Sequence, residues 1–163
     1  MELMAVLLVM GLAAGAVALS VGRTRGAGWM EEAVDRLANL DGRTRQRAIR
    51  SGKPVQVVFD LAGNRVLTRA GGASDESPLE ELALGEGVGL GKVVLAGGST
   101  DRGRVAIWCS ARGGTPTYAV RLDGANRSTW LLLAGMTGQV VRTDEERQII
   151  EAMGLLGGGP DAG

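Results

Sequence analysis

Hydrophobic and polar residues follow three different rhythms along this chain. Leu3 to Val21 is a nearly unbroken apolar run that carries no charge. It is roughly 19 residues long, and at 1.5 Å rise per residue a helix of that length spans about 28 Å, close to the hydrocarbon thickness of a bilayer. The run therefore predicts a transmembrane helix over 1–22. Its small residues, Ala13, Ala14, Gly15, Ala16 and Ala18 among them, would weaken a helix in water but allow close helix–helix approach in lipid. Gly22, Gly26 and Gly28, with Arg23 and Arg25, mark the exit from that segment, where arginines reach headgroups and glycines loosen a helix.

From Trp29 the rhythm becomes amphipathic. Ala33, Leu37, Leu40, Thr44 and Ala48 recur at spacings of three and four, with Glu31, Glu32, Asp35, Arg36, Arg43, Arg45, Arg47 and Arg50 largely around them. Acids come first and arginines last, which suits the helix dipole. Ser51-Gly52-Lys53-Pro54 ends the pattern, because glycine fits the position after a helix and proline cannot continue one. Gly42 is a weak point inside it. The reading is a helical extension over 23–52, with a narrow apolar stripe to lay against a sheet.

Beyond Pro54 the period changes to two. Val55 to Phe59 and Arg65 to Thr68 read as strands about a turn at Asp60 to Asn64. Ala70 to Pro78 is a polar loop rich in glycine, serine and acids. Leu79 to Leu95 predicts two short strands, around Leu82 to Leu84 and Lys92 to Leu95. Arg104 to Cys109, Thr117 to Leu122, Ser128 to Leu133 and Gln139 to Arg142 are the clearest strands, with turn signals at Gly113 to Pro116, Asp123 to Asn126 and Gly135 to Gly138. A long helix followed by regularly spaced strands predicts an α+β fold: a long N-terminal transmembrane helix continuing into an amphipathic helix packed on an antiparallel β-sandwich, 53–142. Thr143 to Glu146 has the capping-box pattern. Ile149, Ile150, Met153, Leu155 and Leu156 then predict a short helix over 143–156, to dock on the sandwich or on a neighbouring molecule. Residues 157–163 have no means of folding.

Composition narrows the chemistry. Lys plus Arg and Asp plus Glu are 18 each, so the net charge is zero and no basic face for nucleic acid is implied. The 27 glycines with one Phe and one Tyr imply many turns and a core of Val, Leu, Ile and Ala. No histidine is present, which excludes His-based acid–base pairs, triads and zinc sites. Cys109 lies in an apparent strand without a histidine partner and reads as a small core residue rather than a nucleophile. Gly85 to Lys92 fits neither Gly-x-Gly-x-x-Gly nor the Walker pattern, because Leu90 and Val93 occupy the deciding positions. Asp75, Glu76, Glu80 and Glu81 lack cation-ligand spacing and read as a solvated acidic loop. Trp108 and Trp130 are placed in or on the sandwich. No enzymatic activity, cofactor or metal is expected.

Glu2 stands at the head of the apolar run. A carboxylate there is costly unless it is neutralised, reaches the interface or meets a cation, so it is either a functional residue or merely interfacial. Met1 to Ala14, with Glu2 followed by an apolar helix and a later Gly11-Leu12, resembles the N-terminal signature of type IV pilins and type II secretion pseudopilins. Further along, Arg47 to Asp60, and Thr117 to Leu122 with Met136 to Val141, are similar to the matching stretches of the H-type minor pseudopilins and the related FimT-like minor pilins. Between Gly71 and Gly103 the likeness is loose.

The resemblance implies that a prepilin peptidase removes a basic leader, that the new N-terminus is methylated, and that Glu2 pairs with the terminal amine of a neighbouring subunit. On it, Glu2, Leu3, Val6, Gly11 and Leu12 are the assembly residues. The partners are other pseudopilin subunits, and the location is the inner membrane with the C-terminal domain in the periplasm. The family's leader, its glycine and the first residues of its mature helix would precede Met1. The expectation is that the start lies further upstream or that the chain is trimmed. Leu19 stands where a proline often kinks the family's helix. Two other readings of the head remain. Ala16-Val17-Ala18 would suit a cleaved signal, though Glu2 replaces the basic region. A plain signal anchor would carry an extracytoplasmic binding module or enzyme, and by the positive-inside rule Arg23 and Arg25 would then be cytoplasmic.

Overall fold

The computed structural model describes residues 28–71, 77–85 and 87–157, with side chains to residue 154. The predicted transmembrane helix, Asp75 and Glu76 of the acidic loop, and the last six residues lie outside the described residues. Among the described residues no helix is long and apolar enough to cross a membrane.

Among the described residues, helix α1 covers 28–51 and is followed by nine strands and a second helix. The strands are β1 (Val55–Asp60), β2 (Arg65–Ala70), β3 (Glu80–Ala83), β4 (Val88–Leu95), β5 (Gly98–Thr100), β6 (Arg104–Cys109), β7 (Tyr118–Gly124), β8 (Ser128–Leu133) and β9 (Val140–Thr143); helix α2 is Glu146–Gly157. They form two antiparallel sheets, β3-β2-β1-β6 and β5-β4-β7-β8-β9. The protein is thus α+β, with its N-terminal helix packed on antiparallel sheets. The chain passes from one sheet to the other after β3, after β5 and after β6.

The core lies where α1 meets the inner faces of both sheets. Leu37 and Leu40 of α1 join Val57 and Phe59 of β1, Ile107 of β6, Tyr118, Val120 and Leu122 of β7 and Leu131 and Leu133 of β8. Full burial of one such aliphatic side chain contributes about 1.5–3 kcal/mol. Phe59 and Tyr118 meet edge to face, 5.7 Å between ring centres. The predicted stripe Ala33, Leu37, Leu40, Thr44 and Ala48 is wholly buried, and Thr44 satisfies its hydroxyl on the Leu40 carbonyl at 2.7 Å. Gly52, at φ 63°, closes the helix.

The second sheet is buried on both faces. Alternate residues of β7 and β8, namely Ala119, Trp130 and Leu132, face away from the main core and receive Ile149 and Met153 of α2. That double burial explains why Trp130 to Leu133 is continuously apolar instead of alternating. On the first sheet, Trp108 alternates outward and remains 48% exposed, whereas Trp130, on the outer face of the second sheet, is buried beneath α2.

Four local expectations need correction. Strand β4 is eight residues long and accommodates Gly91 at a register shift between Leu90 and Lys92; a Cβ there would fall 2.0 Å from Asp123 Oδ2. Strand β5 was not predicted, because it has three residues and no apolar side chain. Asp123 and Gly124 extend β7, so the turn is one or two residues later, closed by Gly124 N–H donating to Arg127 O at 2.8 Å. Thr143 ends β9 rather than capping α2: its hydroxyl accepts from Glu145 N–H and donates to Gln148 Oε1, and the helix starts at Glu146.

Candidate assembly surface

The residues singled out for assembly, Glu2, Leu3, Val6, Gly11 and Leu12, lie outside the described residues. What the structure does describe is how the domain fixes α1 and which surface that arrangement presents.

Halfway along α1, a charged pair is buried on the apolar stripe. Arg45 Nε donates to Asp41 Oδ2 at 2.6 Å, and Tyr118 Oη donates to Asp41 Oδ1 at 3.0 Å. The remaining Arg45 donors reach across to two loops. Nη1 bonds the carbonyls of Gly113 (3.1 Å) and Gly135 (2.7 Å); Nη2 bonds Thr115 Oγ1 (2.8 Å) and the Ala134 carbonyl (3.4 Å). A guanidinium offers five N–H groups, and here all are engaged. Burial of the Tyr118 hydroxyl, together with the Asp41 charge beside it, raises its pKa well above the ordinary tyrosine value.

Sequence alone places Arg45 among the charged residues largely around the stripe, and its burial on the stripe corrects that reading. The available signal was spacing: 37, 41, 45 and 48 share one helix face, so an i, i+4 Asp–Arg pair falls on the stripe itself. A charge there is tolerated only because Asp41 neutralises it and the loops supply acceptors.

The two loops held by Arg45 also touch each other directly. Gly135 N–H donates to Thr117 Oγ1 at 3.0 Å, Thr115 N–H donates to Gly135 O at 3.1 Å, and a Cβ on Gly135 would lie 2.0 Å from Thr115 O. Only glycine allows that approach. Gly113, at φ 82°, lies under Ile49 of α1; a Cβ there would come within 2.8 Å of Ile49 Cδ1. The outcome is a groove of about 420 Å³ between the end of α1 and the tips of the loops, lined in part by Ile49, Arg112, Met136 and Thr137. Ile49 is 57% exposed and Met136 91% exposed.

Other polar groups fasten the frame. At the start of α1, Glu31 accepts from Arg142 of β9 and from Arg127 at 3.5 Å. The hydrogen bond from Arg142 is the main reason its carboxyl titrates below the ordinary value. Asp60 accepts from Gly63 N–H at 3.0 Å, Arg104 Nε at 3.1 Å and Arg65 Nε at 3.4 Å. The Gly63 bond leads the causes that lower its pKa, with Arg104 and Arg65 adding to it. Asn64, left-handed at φ 49°, ties the β1–β2 turn to the other sheet: it donates to Val88 O and accepts from Leu90 N–H, both at 2.8 Å.

Of the groups considered for chemistry, Cys109 is fully buried beside Ala48 and Val55, and desolvation raises its thiol pKa. Adjacent Glu80 and Glu81 pair with different arginines, Glu80 with Arg43 and Arg47 and Glu81 with Arg65. Gly87 to Lys92 enters β4 rather than forming a phosphate cradle.

No protein-family model and no curated protein sequence matches this chain. Solved structures do. The minor pseudopilin EpsH from the type 2 secretion system of Vibrio cholerae matches with a TM-score of 0.57 at 13% identity, over 72% of this chain and 97% of that one. E. coli GspH matches with 0.53 at 16%, over 71% and 87%. The type IV minor pilin FimU of Pseudomonas aeruginosa matches with 0.50 at 11%, over 69% and 87%. The fold is therefore pilin-like. Within that class it is the fold of the GspH-like minor pseudopilins, and these neighbours are structural subunits, not enzymes.

Proposed function

We propose that the protein is a minor pseudopilin, a structural subunit of the type II secretion pseudopilus that assists protein export across the outer membrane. The observation carrying this reading is the likeness to EpsH, which extends over nearly the whole of that chain, joined to the pilin-like order of residues from Met1 to Leu12. In this reading residues 1–22 anchor the protein in the inner membrane by a single pass, and the α+β domain stands in the periplasm, since polar turns have no place in lipid. The assembly partners in this reading are other pseudopilin subunits, with prepilin peptidase as the processing enzyme. The likeness to FimU favours one second reading, a minor type IV pilin built on the same fold.

Glu2, with Leu3, Val6, Gly11 and Leu12, forms the assembly end of the helix. A neighbour's terminal amine within about 4–6 Å of the carboxylate would favour the ionised form that lipid opposes. The test is Glu2→Leu in the gene carried with its upstream reading frame. Membrane insertion and folding of the periplasmic domain should be unchanged, while incorporation into the fibre and secretion should fall. Normal secretion, with crosslinks to neighbouring subunits intact, would refute the role of Glu2.

A further inference from the structure

The groove at the end of α1 combines three properties that structural packing does not require. It presents two apolar side chains to solvent, Ile49 and Met136, the latter at the tip of a loop. Isolated exposed apolar residues are ordinary on protein surfaces, but two flanking one groove form a patch. Met136 is not on a slack loop: Gly138 N–H bonds Ala134 O and Ala134 N–H bonds Gln139 O, each at 2.9 Å, while Arg45 holds the Ala134 and Gly135 carbonyls from below. The ordering entropy of this surface is spent during folding, which leaves more of the contact energy for docking.

The third property is charge. The lining includes no carboxylate, and Arg45 has all its donors engaged within the domain. Arg112 is exposed at the rim and has no hydrogen-bonding or ionic partner among the described residues. A free guanidinium fork beside a methionine and an isoleucine is complementary to a carboxylate beside an apolar side chain.

We propose that this groove docks a different pilin-like subunit of the same fibre, which places an apolar side chain between Ile49 and Met136 and a carboxylate on Arg112. The inference rests on the subunit reading above and adds the face and the chemistry of the contact. Methionine suits it, since its unbranched thioether adapts to the shape of an incoming side chain.

The experiment uses the full chain in cells that also produce the fibre's other pilin-like subunits. A photoreactive residue replaces Thr137 at the rim or, as a control, exposed Trp108 on the outer face of the first sheet. Irradiation should give one discrete product with another pilin-like subunit from position 137 and not from 108. Arg112→Glu and, separately, Met136→Asp should each reduce that product at least tenfold. Neither residue has a polar partner among the described residues, so the melting temperature should match the parent's. If the chain enters the fibre normally and the product is absent, or persists in both variants, the docking proposal is wrong and the subunit reading stands. A product joining two copies of this chain also overturns it. If the chain never enters the fibre, both readings fall.

Discussion

A buried guanidinium is tolerated only when its N–H groups find acceptors, and Arg45 finds them on its own helix and on two loops distant in sequence. Its value lies in the arrangement, because a well-packed apolar pair can be as stable as a buried ion pair, whereas half of such a pair is not. Arg45→Met should therefore destabilise the protein by about 3–5 kcal/mol, through the stranded Asp41 charge and the unpaired loop carbonyls. Tyr118→Phe, which withdraws one donor from Asp41, should cost about 1.5–3 kcal/mol. Replacing Asp41 and Arg45 together should cost less than the sum of the single changes, as read from urea unfolding of the purified variants. Asp60 and Glu31 behave differently, since both have folded-state pKa values below their ordinary 3.8 and 4.5. A depressed carboxylate pKa means that the stabilisation is present above the unfolded-state value and is lost as pH falls through the folded one. Stability should hold at neutral pH and decline below about pH 4.5, and Asp60→Asn should flatten that decline. An equal slope in parent and variant would show that Asp60 contributes nothing to it.

At the scale of elements, α2 offers a comparison between two adjacent isoleucines. Ile149 is buried against the outer face of β7 and β8, while Ile150 is 62% exposed. Ile149→Ala should cost about 2–5 kcal/mol and Ile150→Ala less than about 0.5 kcal/mol. Similar losses at both positions would mean that α2 does not dock as described. The α1 stripe was legible in the sequence because its 3.6-residue period survives with little interruption from Ala33 to Ala48. Strands β1, β2, β6, β7 and β8 were legible from their β-branched and aromatic runs. Strand β5 was not, since edge pairing through the backbone leaves no side-chain pattern. Arg45 was misread because a charge normally marks the wet side of a helix, and this one is an exception through Asp41 one turn earlier and acceptors on two distant loops. The start of α2 was misplaced because Thr143, a good capping residue, is taken up by β9 pairing with Trp130. The groove could not be read from sequence, as Ile49 and Met136 meet only through the fold.

For the whole molecule, the order of elements was the informative signal: an N-terminal helix followed by two antiparallel sheets reproduces a pilin-like fold at identities where single motifs fade. Glu2 and its neighbours are proposed as assembly residues through resemblance alone, since one carboxylate at the head of an apolar run has no unique physical meaning. In the proposed function the chain is built into a fibre as a minor subunit. This is tested by shearing fibres from cells that assemble them and quantifying their subunits by mass spectrometry. This chain should be present, far below the major subunit in amount, and deleting its gene should reduce fibre formation and export of folded proteins. Fibres that lack the chain, assembled and secreting normally after its deletion, would contradict it.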